Sequence, residues 1–451
     1  MIMMVNDEME RKYSYGKIWK IAYPILISLV MEQLIGMTDT AFLGRVGEIE
    51  IGASALAGVY YMVIFMIGLG FSIGVQIIIG RRNGEGGFKQ AGELFWHGLY
   101  FLLALSLVIT AASEWLSPKI LGLIISSDSI FTASLSYVRW RIMGLIFGFS
   151  TAMFRAFYIG TTQTRALGIN SVVMLISNVL FNWILIFGKF GIPALGIAGA
   201  AIGSTLAELV SLLFFIIYTS KSCDTEKYAL NKAASLSWDT MKSIFSVSGW
   251  TMIQNFLSIS TWFIFFLFIE HTGERPLAVS NIIRSISGLI WMVLMAFAST
   301  CSTLVSNAIG EGRNDLVLPI VGKLLKISYM IIIPLLILFS LFPEYVIRIY
   351  TNIPDLITDA VPSLWVLCAS YLLSVPAFMF FQATSGTGNT KSAFALEGAA
   401  LVIYVFYCAF IIEWLKMDVA VCWSAEAVYG FAMAVLCGLY LKSRRWIGRE
   451  L

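Results

Sequence analysis

Nine ionisable side chains stand inside long apolar runs: Glu32, Asp39, Arg139, Arg141, Arg155, Glu208, Arg284, Glu397 and Glu426. A charge at the depth of a hydrocarbon core is costly, so each is a candidate for function. Asp39 is the strongest. It lies in Gly36-Met37-Thr38-Asp39-Thr40, toward the outer end of an otherwise apolar helix. Glu32 comes seven residues earlier, on nearly the same helix face and about 10 Å deeper at 1.5 Å rise per residue. Pro24 lies further down, where a missing amide donor permits a bend. Two carboxylates above a proline hinge suit a helix that changes shape when a proton or another cation binds. Asn178 and Asn182 are one turn apart on one face. Ser204 and Thr205 follow Gly199 and Gly203. A carboxylate with amide and hydroxyl oxygens is a donor set for a hard cation. A cation site is therefore expected from Asp39, Asn178, Asn182 and Ser204, with Na+ taken by Asp39 and the two amides.

The remaining polar residues promise less chemistry. Arg139 and Arg141 are two apart and cannot share a helix face. One is expected to pair with a buried acid and the other to reach the outer interface. Arg155 ends its helix near a basic loop, where its head can snorkel to water. Glu208, Glu397 and Glu426 are expected to act structurally, with Arg284 as a partner. His97 and His271 make no ligand pair. The six cysteines are scattered, mostly in apolar runs, without metal or disulfide spacing. The stretch from Gly386 to Ser392 lacks the Gly-Lys-Ser/Thr ending of a phosphate loop. No nucleophile–base pair appears either. Enzyme chemistry and a bound cofactor are not expected, beyond a coupling H+ or Na+.

The elements that must hold these residues are membrane helices. Hydrophobic residues make up 59% of 451 and charged residues 13%, against about half and a quarter in soluble chains. Residues 1–15 are polar and no small-residue cleavage site follows, so no cleavable signal is expected. A net charge of +3 leaves no nucleic-acid footprint. The apolar runs predict helices at 15–43, 52–80, 90–113, 128–158, 164–187 and 195–218. A second set is predicted at 241–269, 278–309, 316–341, 355–384, 391–413 and 418–441. Lys and Arg collect on one side in the connections. They are Arg11, Lys12, Lys17, Lys20, Arg81, Arg82, Lys89, Arg165, the basic residues of 221–242, Arg313, Lys323, Lys391 and the tail with Arg449. Both termini are thus expected in the cytoplasm.

The chain repeats itself. Gly47-Glu48 recurs as Gly273-Glu274, Gly84-Glu85-Gly86 as Gly310-Glu311-Gly312, and Thr164-Arg165 as Thr390-Lys391, each at an offset of 226. The longest polar connection, 220–237, lies at the midpoint. The expected fold is an all-α integral membrane protein of twelve transmembrane helices in two pseudo-symmetric six-helix bundles. Residues 1–222 form the lobe with the cation site and 223–451 the second lobe. With six helices per repeat, the substrate path is expected between the halves. At the same offset Asp39, Asn178 and Asn182 become Phe265, Tyr404 and Cys408, so the second half has no copy of the site.

Taken in order along twelve helices, these features resemble the multidrug and toxic compound extrusion (MATE) family. The resemblance rests on Pro24 and 33–44, on Gly84-Glu85-Gly86 and its copy at Gly310, on 178–182, on 199–204 and on 386–391. It implies a monomeric secondary transporter in a bacterial inner membrane that exports organic cations by antiport with H+ or Na+. It also implies that Asp39 is the coupling acid, Pro24 the bending proline, Asn178 the site asparagine and Ser204 the site hydroxyl. Asn182 stands where aspartate is common, which removes one charge. Glu32 stands where a neutral residue is common and is expected to restore it. The acids that one branch uses in its second half are replaced by Gln254 or Asn255 and by Ser374, which points to the DinF-like branch. The alternative within the superfamily is a flippase of a lipid-linked substrate, disfavoured by twelve spans with intramembrane acids.

Overall fold

A computed structural model describes residues 13–448, all of whose regular structure is helical. Arg11, Lys12 and Arg449, which count toward the basic side, lie outside the described residues. Apolar runs of this length become helices because in lipid every backbone amide and carbonyl must find its partner within the segment.

The first half contains α1 (Tyr15–Leu43), α2 (Glu48–Gly84), α3 (Phe88–Ile124), α4 (Asp128–Met143), α5 (Leu145–Gly160), α6 (Arg165–Phe187) and α7 (Gly196–Ser222). The second contains α8 (Trp238–Glu270), α9 (Glu274–Gly310), α10 (Val317–Leu341), the short α11 (Pro343–Arg348), α12 (Pro354–Gly386) and α13 (Thr390–Cys408). A turn of π-helix, Ala409–Trp414, extends α13, and α14 (Val419–Cys422) with α15 (Ala425–Lys442) closes the chain. Among the described residues eleven helices are long and apolar enough to cross a membrane. Taking α4 and α5 as one bent span makes twelve.

The helix expected at 128–158 is therefore not continuous. It bends by 47° between α4 and α5, at Gly144. Its counterpart in the second half, α12, runs unbroken despite Pro362 and Pro376. The helices expected at 52–80 and 90–113 are each 37 residues long instead, extending beyond the minimum that spans the hydrocarbon.

The repeat is visible in backbone detail. Helices α2 and α9 begin and end at positions 226 apart and have equal length. Gly86 and Gly312, at the same offset, turn the chain after them with φ of +77° and +74°. Both positions need the left-handed region that glycine enters freely. A Cβ on Gly160 would lie 2.9 Å from the carbonyl oxygen of Gln76, and one on Gly386 would lie 2.5 Å from that of Ser302. The offset is again 226. The same close helix–helix approach is thus built twice.

Contacts divide the described residues into a first unit, 23–252, and a second, which joins residues 13–22 to 253–448. The expected lobe boundary at 222/223 lies inside the first unit, because the polar connection is clipped to that unit. Tyr228 packs on Phe157 at 5.2 Å and donates its hydroxyl to Asn83 Oδ1 at 3.1 Å. Tyr100 donates to the Ala234 carbonyl at 2.9 Å, and the Ser237 amide to His97 Nε2 at 2.8 Å. His97 is a packing residue that holds the connection. The tightest point is Gly92, where a Cβ would sit 1.7 Å from the Tyr228 carbonyl oxygen. We expect Gly92→Ala to lower the melting temperature in detergent by several degrees, since overpacking against backbone typically costs about 1–3 kcal/mol. A melting curve unchanged from wild type would refute this anchoring.

In the second unit the start of the chain is held by Tyr13, which donates to Glu311 Oε1 at 3.2 Å and accepts from Lys323 Nζ through its carbonyl at 3.1 Å. Trp423 is fully buried there and donates to Ser280 Oγ at 3.2 Å. All six cysteines are buried and free.

Candidate ion-coupling site

Three helices of the first unit bring polar faces together. α1 presents Asp39, α6 presents Asn178 and Asn182, and α7 presents Ser204. Close approach of α6 and α7 depends on small residues, as in other membrane helix pairs. A Cβ on Gly199 would be 2.6 Å from the Leu185 carbonyl oxygen, and one on Gly203 would be 2.2 Å from Asn182 Oδ1.

Around Asp39 the donors converge. Asn182 Nδ2 donates to Asp39 Oδ1 at 2.6 Å and Ser204 Oγ to Asp39 Oδ2 at 3.3 Å. Behind them, Asn178 Nδ2 donates to Ser204 Oγ at 3.1 Å, and Asn178 Oδ1 accepts from Asn182 Nδ2 at 3.2 Å. Both asparagines are 0% exposed. Hydrogen bonds to a charged acceptor contribute about 1.5–3 kcal/mol each, so this cage offsets part of the burial of a carboxylate. Asn182 Oδ1 is buried and has no hydrogen-bond partner. That spare oxygen, beside Asp39 and facing the Gly203 notch, fits a cation or a protonated group. The donor set of Asp39, Asn178, Asn182 and Ser204 is compatible with Na+, although the Asn182 amide turns its N–H rather than its oxygen toward Asp39.

One turn along α7 from Ser204 comes a second cluster. Arg141 Nη2 pairs with Glu208 Oε1 at 2.9 Å. Tyr61 donates to the same oxygen at 3.3 Å, and its ring lies 4.0 Å below the Arg141 guanidinium carbon. Room for Glu208 comes from the bend, since a Cβ on Gly144 would fall 3.0 Å from Glu208 Oε2.

Glu32 does not join Asp39. It pairs with Arg155 and accepts from Ser28 Oγ at 3.3 Å, while Ser171 donates to Ser28 at 2.7 Å. Arg155 is thus ion-paired rather than snorkelling. Arg139 pairs with Glu114 at 3.5 Å, both half exposed, so the two arginines of α4 do diverge. Arg284 faces the Phe266 ring at 5.4 Å instead of an acid. Glu397 accepts from Ser258 at 2.6 Å and Tyr429 at 3.1 Å, and Glu426 accepts from Tyr404 at 3.2 Å. His271 lies in the turn after α8, 3.3 Å from Glu413. Pro24 sits within α1, with Gly168 of α6 against it.

In the second unit the positions equivalent to Asp39 and Asn178 are Phe265 and Tyr404. Their rings meet at 6.4 Å. The helix contact is kept, and aromatic rings replace the carboxylate and the amide. Sequence reasoning did not foresee the bend at Gly144 or the role of Tyr61. A glycine three residues ahead of a phenylalanine-rich stretch carries little signal, and a tyrosine in a long helix carries none.

The MatE family profile matches residues 24–184 and, a second time, residues 251–410. The chain belongs to the MATE family. The two matches begin 227 and end 226 residues apart, which is the repeat period of the sequence. This MATE chain is 25% identical over 441 residues to a probable multidrug resistance protein NorM of Thermotoga maritima, covering 96% of this chain and 93% of that one. It is 23% identical over 432 residues to the namesake in Neisseria meningitidis serogroup B, covering 90% and 92%. Among solved structures, the outward-facing conformation of a multidrug resistance MATE family transporter of the MOP superfamily superimposes with a TM-score of 0.88 at 18% identity, covering 96% and 97%. A MOP superfamily transporter from Pyrococcus furiosus, whose binding pocket has reversed polarity suggesting a different function, gives 0.87 at 19% identity, covering 95% of each. The MATE fold covers 96% of the chain, and the protein is a multi-span membrane transporter, not an enzyme.

Proposed function

We propose that this MATE protein exports organic cations by antiport, driven by inward flow of H+ or Na+ through Asp39. One observation carries the reading. A half-buried carboxylate is caged by Asn182 and Ser204, with Asn178 behind them, beside an unpartnered amide oxygen, in a unit whose counterpart has rings at the same positions. The relatives named multidrug resistance proteins support an export substrate of broad specificity. The lobe of residues 1–222 is the ion-coupled half, and that of 223–451 is the second lobe. The protein works as a monomer of the DinF-like branch, in a bacterial inner membrane with both termini in the cytoplasm.

In the outward-facing state a cation from outside neutralises Asp39. The site then no longer attracts the donors of α6 and α7 as strongly, and α1 bends near Pro24. The first-half cavity narrows and expels the organic cation. Return to the inward-facing state releases the ion to the cytoplasm. Pro24 has no amide to donate to the Lys20 carbonyl, so the helix bends there at low cost. With Pro24→Ala we expect turnover to fall about fivefold while substrate affinity holds, since the alanine restores a hydrogen bond worth about 1 kcal/mol that each bend must break. Equal turnover in both proteins would remove the hinge from the mechanism.

The test of the function is ethidium transport in proteoliposomes of known orientation, with imposed proton or sodium gradients. Movement against the ethidium gradient under one of them establishes antiport and names the ion. No movement under either, in protein shown to be folded, would overturn the reading and direct attention to a lipid-linked substrate.

A further inference from the structure

Around the Asp39 cage the charged side chains of the first unit fall largely into ion pairs. Glu32 is paired with Arg155, and Glu114 with Arg139. Glu208 is paired with Arg141. Asp39 has neutral donors, from Asn182 and Ser204. Ser204 and Glu208 are four residues apart on α7, so the Asp39 cage and the Arg141–Glu208 pair are neighbours on one face, with Cβ atoms about 5–6 Å apart. Arg141, held by Glu208 at 2.9 Å, therefore stands one helical turn from the Ser204 hydroxyl that donates to Asp39. The other titratable groups beside the cluster are Tyr61 of α2, which donates to Glu208 Oε1, and Tyr137 of α4. α6 contributes only the two amides.

The pair itself is incompletely bonded. Arg141 Nη1 and Glu208 Oε2 are both buried without a hydrogen-bond partner, and Glu208 is 6% exposed. A guanidinium has five N–H donors in a fixed fork, and a donor left over beside two carboxylates is one that both can use. The arrangement has no copy in the second half, where Leu367 and Ala434 stand at the equivalent positions and α12 is one continuous helix.

We propose that Arg141 is a built-in counter-cation which holds the Asp39–Glu208 acid pair to one uncompensated negative charge, so that the first unit takes up one monovalent cation per cycle. This rests on Asp39 as the coupling acid. With two acids and one fixed base, the buried cluster carries −1 when empty and is neutral when one H+ or Na+ has entered. Without Arg141 the same two acids would require two cations. Without Glu208, Arg141 would neutralise Asp39 permanently and no cation would be drawn in. Arg141 is a positioning residue, because it acts through the charge of Asp39 and does not touch the transported molecule.

The test is charge displacement on solid-supported membranes bearing full-length protein, after a pH jump or a sodium jump, without organic substrate. The jump that gives a signal in the wild type names the cation. Relative to that signal, Arg141→Gln should displace about twice the charge, while the double variant Arg141→Gln with Glu208→Gln should return to the wild-type value. Glu208→Gln alone should displace almost none. Wild-type charge in Arg141→Gln or in Glu208→Gln would overturn the proposal, as would a double variant that stays unlike the wild type. Should Arg141→Gln fail to fold, judged by its melting curve, Glu208→Gln decides by itself. The reading of Asp39 fails separately, if Asp39→Asn retains the wild-type displacement.

Discussion

Asp39→Asn is expected to abolish gradient-driven export while the protein still folds and still binds ethidium. The substitution is nearly isosteric, yet it replaces an oxygen that accepts from Ser204 or Asn182 by an amide that donates. More consequentially, it removes the one charge of the cluster that has no fixed partner. The two states of the site, empty and loaded, then have the same charge, and a cation no longer distinguishes the two conformations. A ligand with equal affinity for both states shifts nothing, so coupled export should fall by about two orders of magnitude or more. Ethidium counterflow, which needs no ion gradient, should survive far better. The comparison is the initial rate of uphill ethidium movement in Asp39→Asn and wild-type proteoliposomes under the driving gradient. Uphill transport within a factor of two of wild type would place the coupling elsewhere. Asn178→Ala and Ser204→Ala should have milder effects in the same assay, because each removes one donor or acceptor of a cage whose charge remains.

Much of this was legible in the residues because a bilayer allows so few solutions. A helix is the only way for runs such as 52–80 to satisfy their backbone, and the 226-residue offset of Gly-Glu pairs carries straight through to matched helices and matched glycine contacts. The Asp39, Asn178, Asn182 and Ser204 constellation could be read from helical spacing, since polar residues one turn apart in apolar helices must face protein rather than lipid. Pairing was less accessible. Nothing in the spacing of Arg155 distinguishes a snorkelling head from one that turns inward to Glu32, because the choice depends on where α1 lies beside α5. The same holds for Arg141. Its partner Glu208 is 67 residues away, and the contact exists only because Gly144 interrupts the helix and leaves room for the carboxylate. Glu32 as a replacement charge for Asn182 was an inference from residue type. In the structure it belongs to a different pair, one that is already neutral.

The α6–α7 contact offers a way to separate the fold from the site with one kind of change made twice. Gly199→Ala and Gly203→Ala lie one turn apart on the same helix face. At Gly199 the added methyl would meet backbone, the Leu185 carbonyl oxygen and carbon at 2.6 and 2.7 Å and the Ile186 amide nitrogen at 2.9 Å. Backbone in a helix cannot step aside, so the helices must part. We expect a destabilisation of about 1–3 kcal/mol, read as a melting temperature lower by several degrees. At Gly203 the nearest atom is Asn182 Oδ1 at 2.2 Å, the far end of a side chain, with the Asn182 amide nitrogen at 3.1 Å. Here relief comes from rotating the Asn182 amide, which takes its Nδ2 away from Asp39. Gly203→Ala should therefore lose coupled transport, by about tenfold or more for one misplaced site group, with the smaller loss of stability. A double-mutant cycle with Asn182→Ala makes the argument quantitative, since residues that act through one contact are not additive. If Gly203→Ala works only by displacing Asn182, adding it to Asn182→Ala should cost nothing further in transport rate. An additive loss would mean that the glycine matters for how closely α6 and α7 pack, and that the amide at Asn182 is not what the methyl disturbs.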